Sequence, residues 1–372
     1  MRYEHPIKQI LLDNRHLWDH PQTRPAVREN FQRVLDCRTP ALGAEVYVSE
    51  TEEKLVFHTC KSRTCPSCGY RATLLWQREE WASLPDIPYA GIVLTMPDVL
   101  WTIFQRDRHL LRDLPALGAA AIQHWVKAKY GAGVLLMIVP HTFGRRLNFN
   151  PHLHVLVSAI GVHEAEGRLL SGLRFNKEAL MHIWRYAIIT YLRQAVAAGD
   201  LDCDLPPGRL RPVLKAQYER WWNINVSRFQ SKWHFLQYAG RYVRRPPIAQ
   251  RRITRITNQE VEFWTKDLRQ KRTVHTRYPV AEFLALLAEH VQDRYRHAIR
   301  YFGLLAPRAK SRTHPSLFLL LNQEQRPHPR RLSWRYSLRK YFGVDPLLDR
   351  CDQVMHWARR LEPASVHLKS GG

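Results

Sequence analysis

The sequence lacks long apolar runs and has little negative charge. No stretch approaches the length of a membrane-spanning helix, and no charged-then-apolar signal segment opens the chain. Acidic residues number 33 against 57 lysines and arginines, and there is no internal repeat or low-complexity tract. These absences argue against a membrane protein and a secreted protein, so we expect a cytoplasmic location.

The positive charge is the strongest bulk property. The formal net charge is +24, and the pI is about 10.2. An excess this large predicts a polyanionic partner, with nucleic acid as the default. A membrane-surface protein is the alternative, but the charge is spread along the chain and not confined to one amphipathic helix. With 372 residues, of which 45% are hydrophobic, the chain can form two or three folded units.

Cysteine is scarce, and its distribution is uneven. Four of the six cysteines lie between positions 37 and 68, which favours a metal site in a reducing compartment over a disulfide framework. Cys65 and Cys68 have the spacing of a zinc-knuckle turn. Cys37 and Cys60 complete a four-thiolate zinc site, with His58 as an alternative ligand. A redox Cys-x-x-Cys motif is the other interpretation.

From about residue 85 the hydrophobic pattern alternates between strands and helices. Residues 90–97 and 133–139 read as buried strands, and residues 99–130 and 174–199 as helices. A short loop from Arg145 to Asn150 leads into the apolar run 151–158. Two strands joined by so short a loop form an antiparallel pair.

Two histidines flank one aliphatic residue at the start of that run. Successive side chains of a strand point to opposite faces, so His152 and His154 emerge together while Leu153 enters the core. Two imidazoles on one face can bind a metal ion. A purely structural histidine pair is the alternative for this pattern alone.

Two tyrosines lie among arginines in a second segment. Residues 231–244 read as a helix ended by Pro246 and Pro247, which puts Tyr238 and Tyr242 on one face, one turn apart. Arginines favour a phenolate and bind phosphate; those closest in sequence are Arg241, Arg244 and Arg245. A packed amphipathic face, with the arginines as solvated charges, is the alternative.

These groups together permit a transesterification of DNA. A divalent metal would polarise a phosphate, and a tyrosine would attack phosphorus to form a phosphotyrosine and release a 3′-hydroxyl. That hydroxyl can reverse the step on another strand, so no energy cofactor is required. A second tyrosine would allow two strand ends to be held in turn.

Three segments resemble one protein family. The run from Thr142 to His154 resembles the HUH motif region of rolling-circle insertion-sequence transposases, the IS91 type. The segment from Tyr238 to Pro247 is similar to the two-tyrosine motif of that family. The cysteines at 37, 60, 65 and 68 are similar to its amino-terminal zinc-binding region, and order and spacing agree over roughly residues 30–305.

The resemblance implies a fold and a site. The fold is α+β: an HUH endonuclease domain with a central antiparallel sheet flanked by helices, and a small amino-terminal zinc-binding domain. The resemblance implies that His152 and His154 bind the catalytic metal and that Tyr238 and Tyr242 are nucleophiles acting on single-stranded DNA. The third metal ligand stays open; the candidates are His141, Gln237 and His234. This ligation suits Mg²⁺ or Mn²⁺, and imidazoles favour manganese.

We therefore predict a DNA transposase of the bacterial cytoplasm, associated with the nucleoid when bound to DNA. Its zinc-binding domain spans 1–84, its HUH domain 85–305 and a basic carboxyl-terminal extension 306–372. It would nick and rejoin element ends through a 5′-phosphotyrosine. The alternatives are a replication initiator or relaxase, an inactive zinc-dependent DNA-binding protein, and a metal-dependent nuclease using water. No helicase P-loop is present, so a host helicase would open the duplex.

The chain departs from the family pattern in two places. Members often carry an additional cysteine pair between the equivalents of Cys37 and Cys60, and the stretch 46–57 has none here. A carboxyl-terminal pair is reduced to Cys351, which leaves one zinc as the expectation. Trp221 and Trp222 can stack on bases of single-stranded DNA, with core packing as the alternative.

Overall fold

The computed structural model describes residues 5–201, 207–243, 246–267, 270–294, 296–330 and 332–363. The chain divides into two compact units. The first contains Met1–Trp76, Arg244–Val291 and Pro329–Gly372, and the second contains Gln77–Val243 and Gln292–His328. This division follows compactness; the functional boundaries at residues 84/85 and 305/306 stay a prediction.

Helices and strands are interspersed along the chain. The described α-helices are α1 Pro6–Asp13, α2 Pro25–Asp36, α3 Pro66–Ser83, α4 Trp101–Arg106, α5 Leu114–Tyr130, α6 Lys177–Ala197, α7 Pro207–Ala216, α8 Lys232–Ala239, α9 Val280–Glu289, α10 Pro307–Leu320 and α11 Trp334–Phe342. The described strands are β1 Ala44–Val48, β2 Glu53–Phe57, β3 Tyr89–Leu94, β4 Ala132–Gly133, β5 Leu135–Phe143, β6 Phe149–Ser158, β7 Gly161–His163, β8 Leu169–Leu170, β9 Ile224–Phe229, β10 Ile253–Ile256, β11 Glu260–Asp267, β12 Arg272–Pro279, β13 Arg300–Gly303 and β14 His356–Leu361.

A five-stranded sheet forms the centre of the second unit. Its order is β13-β5-β6-β3-β9, and every neighbouring pair is antiparallel. One face packs its apolar side chains against α5 and α6, where Leu153, Val155 and Val157 of β6 join a large core with Ile122 and Trp184. The α+β fold class and the antiparallel β5–β6 pair are thus confirmed.

Proline explains where two helices predicted as continuous are broken. The apolar positions of residues 1–35 predict one amphipathic helix, but the structure divides this segment into α1 and α2. Residues 99–130, also predicted as one helix, form α4, a 3₁₀ segment and α5. Pro25 and Pro115 each lie in the first turn of the later helix. Proline lacks the N–H that a helix interior needs, but it is tolerated in a first turn, so each one starts a new helix.

The first unit contains two three-stranded antiparallel sheets. One has the order β14-β1-β2, and the other has the order β10-β11-β12. The sequence of residues 261–264 and 273–275 predicts a hairpin, and the structure has it as β11 and β12. In the described residues of the two units, no helix is long and apolar enough to cross a membrane.

Candidate active site and zinc site

Three histidines lie together on the sheet face opposite the α5/α6 core. His141 of β5 is directly opposite His152 of β6, and His154 is opposite Val139. Residues opposite each other in antiparallel strands point to the same face, so the register brings three imidazoles together. One ring nitrogen of each lies within 4.8 Å of one ring nitrogen of the others. His141 and His154 are each only 5% exposed.

One hydrogen bond and burial together determine the protonation state of His152 and His154. His152 Nδ1 donates to the carbonyl of Asn150 at 2.7 Å, which leaves the lone pair on Nε2. Burial lowers the pKa of His152. Burial also holds the pKa of His154 well below its ordinary value, and the charges of His152 and Arg241 lower it further. Both rings are therefore neutral near pH 7, the form that binds a metal.

The arrangement fits a divalent cation. The Nε2 atoms of His152 and His154 are 3.2 Å apart, close to the ~3 Å separating neighbouring ligands about 2.1 Å from one ion. Buried His154 Nδ1 has no hydrogen-bond partner among the described residues. The bond from His152 to Asn150 is of the kind that orients metal-bound histidines.

His141 connects the histidines to the tyrosine segment. Its Nε2 donates to the carbonyl of Tyr242 at 2.8 Å. In a continuing α-helix that carbonyl would accept from the N–H of residue 246, but residue 246 is a proline and has none. His141 therefore supplies the donor that the chain lacks, and this bond fixes the backbone of Tyr242 beside the histidines.

The tyrosine helix is shorter than predicted. The segment 231–244 was expected to be helical, but α8 ends at Ala239. Ser231 caps its first turn by accepting from the N–H of His234. Beyond Ala239 the chain continues as a turn, in which the Tyr242 N–H donates to the Ala239 carbonyl at 2.9 Å. Tyr242 is thus held by a turn and by His141, and not by a regular helix.

The two tyrosines have different surroundings. The ring of Tyr242 stacks on that of His154, with centroids 3.6 Å apart and planes 22° apart. Tyr238 is 5.0 Å from Tyr242, and its ring packs against Phe229 at 4.9 Å. Tyr238 is only 9% exposed. The sequence prediction treated the pair as equivalent, whereas Tyr242 alone is stacked on a histidine.

Electrostatic interactions add to the difference between the surroundings of the two tyrosines. Burial raises the pKa of Tyr238 above its ordinary value, and its hydrogen bond and charge interaction with Tyr242 raise it further. Arg241 opposes the shift; its guanidinium lies 4.9 Å from the Tyr238 ring and 5.9 Å from the Tyr242 ring. The Arg241 guanidinium therefore lies beside both tyrosine rings. The predicted contacts Arg244 and Arg245 lie outside the described residues.

Gly91 makes room for the buried tyrosine. A Cβ atom at this position of β3 would lie 2.6 Å from Cε1 of Tyr238. We expect Gly91→Ala to displace the Tyr238 ring and to lower the free energy of unfolding by about 1–3 kcal/mol, the usual cost of overpacking. Chemical denaturation measures this change. Gly133→Ala is the control, because its Cβ would meet its nearest neighbour at an ordinary 3.4 Å; equal stability of the two variants would contradict the prediction.

The other two candidate metal ligands lie on the exposed surface of α8. Gln237 and His234 are exposed on α8, whereas the adjacent Tyr238 is buried. Among the described residues, the histidine cluster contains His141 but not His234. His234 instead forms a 2.8 Å hydrogen bond with the Ser231 hydroxyl.

The four predicted zinc cysteines form a second cluster, in the first unit. Measured from Cys37, the sulfur of Cys68 is 3.6 Å away and that of Cys65 is 3.8 Å away, while Cys60 and Cys68 are 3.7 Å apart. Four thiolates at about 2.3 Å from a tetrahedral Zn²⁺ would be about 3.8 Å apart. The pKa of Cys37 is lowered because the other three thiols can donate to its thiolate. This cluster has the spacing of a structural zinc site.

Three separate segments supply these sulfurs. Cys37 directly follows α2, Cys60 follows β2, and Cys65 and Cys68 lie at the start of α3. His58, the alternative ligand, is engaged elsewhere: its Nδ1 is 3.0 Å from the carbonyl of Leu42, and its Nε2 pairs with Glu45. The site is therefore a four-cysteine cluster joining a helix, a sheet and a second helix.

Two family models match the segments of the chain that contain the two clusters. A family model described as "Putative transposase" matches residues 133–313, and one described as "Transposase zinc-binding domain", of the IS91 type, matches residues 11–96. The chain is 30% identical over 375 residues to the "Transposase for insertion sequence element IS801" of Pseudomonas savastanoi pv. phaseolicola, covering 97% of this chain and 90% of that protein. It is 27% identical over 309 residues to the "Putative transposase y4qJ" of Sinorhizobium fredii, covering 78% and 77%. No solved structure is significantly similar to this chain.

Proposed function

Because this chain belongs to the insertion-sequence transposases of the IS91 and IS801 type, we propose that it nicks and rejoins single-stranded DNA at element ends by tyrosine transesterification. The observation that carries the proposal is the stacking of Tyr242 on His154, within a cluster of three buried histidines. A nucleophile and a metal-binding group must both reach one phosphate, and this arrangement brings them together.

We propose Tyr242 as the first nucleophile. Its hydroxyl oxygen attacks the phosphorus of the scissile bond, and the bond between phosphorus and the 3′-oxygen breaks. The tyrosine hydroxyl loses a proton in this step, and the departing 3′-oxygen gains one. The products are a 5′-phosphate esterified to Tyr242 and a free 3′-hydroxyl, so the energy of the phosphodiester is kept for rejoining.

The remaining residues support that step. A divalent cation held by His152 and His154 would polarise the phosphate oxygens and stabilise the charge that develops there. Arg241, beside both tyrosine rings, would favour the phenolate and bind the phosphate. Burial of the histidines excludes water from one side of the nucleophile, which disfavours hydrolysis.

Tyr238 fits a later step better than the first. It is buried against Phe229 and Gly91, and its raised pKa makes the phenolate harder to form. Its contact with Tyr242 would be lost when Tyr242 becomes esterified and carries a phosphate. We propose that Tyr238 then accepts the second strand end, which completes strand transfer.

We propose His141 as the third metal ligand. His141→Ala should weaken Mn²⁺ binding by at least about 100-fold, more than the loss of a supporting group. Gln237→Ala should leave Mn²⁺ binding unchanged, because Gln237 is exposed on α8. Electron paramagnetic resonance of free Mn²⁺ in titrations measures both affinities. Loss of binding in Gln237→Ala with retention in His141→Ala would show that the ligand set is wrong.

A denaturing gel tests the proposed reaction. The protein is mixed with Mn²⁺ and a 3′-labelled single-stranded oligonucleotide from the element end. A slow, protease-sensitive band that is absent in the Tyr238→Phe/Tyr242→Phe double variant is expected. Free cleavage products in the double variant, with no adduct in the wild-type protein, would instead identify a nuclease that uses water. Binding without cleavage would leave only a DNA-binding function.

A further inference from the structure

A polar cleft lies beside the histidine cluster, at the end of β3 and the start of β9. Its volume is about 290 Å³, and it is lined by residues 95–98 and 220–223. Both segments belong to the second unit. None of these residues has a role in the reaction described above.

The register places this cleft in line with the histidines. Leu94 pairs with Leu153 on β6 and with Ile224 on β9. Continuing this register by one residue brings Thr95 level with His152 and with Asn223. The Thr95 hydroxyl donates to the Asn223 carbonyl at 2.7 Å. Strands are spaced about 4.8 Å apart, so the cleft begins within about 10 Å of the histidines. A single strand with its scissile phosphate at the histidines would reach the cleft with an adjacent nucleotide.

The tryptophan pair at the cleft is divided between two environments. Trp222 is 1% exposed and belongs to the core, whereas Trp221 is 61% exposed. The core-packing interpretation therefore applies to Trp222, whereas base stacking by Trp221 stays a prediction. An exposed indole at the edge of a cleft can stack on an unpaired base of any sequence.

Hydrogen bonds to backbone carbonyls fix both walls of the cleft that holds the exposed indole. Arg185 Nη1 donates to the Arg220 carbonyl at 2.8 Å. On the opposite wall, Trp184 donates to the Thr95 carbonyl at 2.8 Å, and Trp101 donates to the Met96 carbonyl at 3.0 Å. These bonds position the loops before a ligand arrives, so a stacked base would find a preorganised surface.

The charges of the cleft suit a nucleotide with its base turned inward. Arg220 is exposed and can bind a phosphate. Asp98 lies on the other wall and is also exposed; one of its oxygens accepts from the Val99 N–H at 2.9 Å. A carboxylate repels phosphate but accepts a hydrogen bond from an exocyclic amino group of a base.

We propose that this cleft binds an unpaired nucleobase of the substrate strand, next to the scissile phosphate, stacked on Trp221. The proposal rests on the proposed function only in taking single-stranded DNA as the substrate. Asn223 and Asp98 contact the edge of the base, and Arg220 contacts its phosphate. A base with an exocyclic amino group is the preferred occupant.

Binding measured without chemistry tests this proposal. The protein carries Tyr238→Phe and Tyr242→Phe, and the probe is a fluorescent oligodeoxycytidylate of about twenty nucleotides at mildly alkaline pH and fixed salt. Adding Trp221→Ala should weaken binding by about 5- to 100-fold, the loss of one stacked base. Trp221→Phe should keep most of the affinity, because a phenyl ring still stacks.

Tyr186→Ala is the matched control. Tyr186 is 62% exposed, close to the 61% of Trp221, but it lies on α6 away from the cleft. Its replacement should leave the affinity unchanged. Equal affinities of the Trp221→Ala protein and its parent would overturn the proposal, as would equal losses in Trp221→Ala and Tyr186→Ala. Because no bond is broken, this result is independent of whether the tyrosine adduct forms.

Discussion

Tyr242→Phe is expected to lower formation of the covalent DNA adduct by at least about 10³-fold, as loss of a nucleophile does. The phenylalanine ring keeps the stacking on His154, and the substitution removes only the hydroxyl that we propose attacks phosphorus. The hydrogen bond from the His141 side chain to the backbone carbonyl of residue 242 also remains, so the fold should be preserved. Single-turnover assays with a labelled single strand measure the rate.

Tyr238→Phe is the matched variant, and its expected result is different. The first adduct should form at close to the wild-type rate, because the buried Tyr238 takes no part in that step. Joining of a second strand end should be lost. If Tyr238→Phe abolished the first adduct and Tyr242→Phe left it intact, the assigned order of the tyrosines would be reversed.

Loss of the zinc site is expected to have the largest effect on stability. Cys65→Ser removes one of four sulfurs that join α2, β2 and α3. Structural zinc sites contribute on the order of 10 kcal/mol of apparent binding free energy, which is coupled to folding. We expect the bound zinc, about one ion per chain for a four-thiolate site, to be lost, and the first unit to unfold at a much lower temperature. Elemental analysis and thermal denaturation measure the two effects.

Cys351→Ser is the control for this prediction. Cys351 is exposed and lies outside the four-cysteine cluster. Its replacement should leave both zinc content and stability unchanged. Treatment of the wild-type protein with a chelator should reproduce the loss seen in Cys65→Ser. Full zinc content in Cys65→Ser, with an unchanged melting temperature, would exclude the cluster as a zinc site.

Local patterns in the sequence were sufficient for the central elements of the site. The alternation around Leu153 predicts that His152 and His154 share a face, and the sheet register agrees. The loop from Arg145 to Asn150 predicts the antiparallel β5–β6 pair for the same reason: two strands joined by a short loop can pair only in this way. Cysteine spacing likewise predicted which four sulfurs come together.

The unequal environments of the two tyrosines could not be predicted from spacing. Residues four apart are equivalent only on an uninterrupted helix, and α8 ends at Ala239. Pro246 predicts the end of a helix, but the replacement donor, His141, lies 101 residues before Tyr242, whose carbonyl it binds. Gly91 carried one local signal that was not used, since a glycine inside a buried strand often marks the close approach of another group.

The division of the chain into units also depends on contacts between residues that are far apart in the sequence. Strand β14, near the carboxyl end, pairs with β1 near the amino end. All six of its residues are exposed, and its apolar and polar residues do not alternate regularly, so hydrophobic periodicity does not predict it as a strand. The segment beyond Pro307 was expected to be a basic, proline-broken extension, but α10, α11 and β14 lie within it.

The proposed reaction depends above all on covalent attachment of Tyr242 to a 5′-phosphate. The most direct measurement is peptide mass spectrometry of the wild-type protein after reaction with a single-stranded element end, Mn²⁺ and nuclease digestion. The account predicts a nucleotide mass added at Tyr242, with the released strand ending in a 3′-hydroxyl. Cleaved DNA with no nucleotide on either Tyr242 or Tyr238 would contradict it.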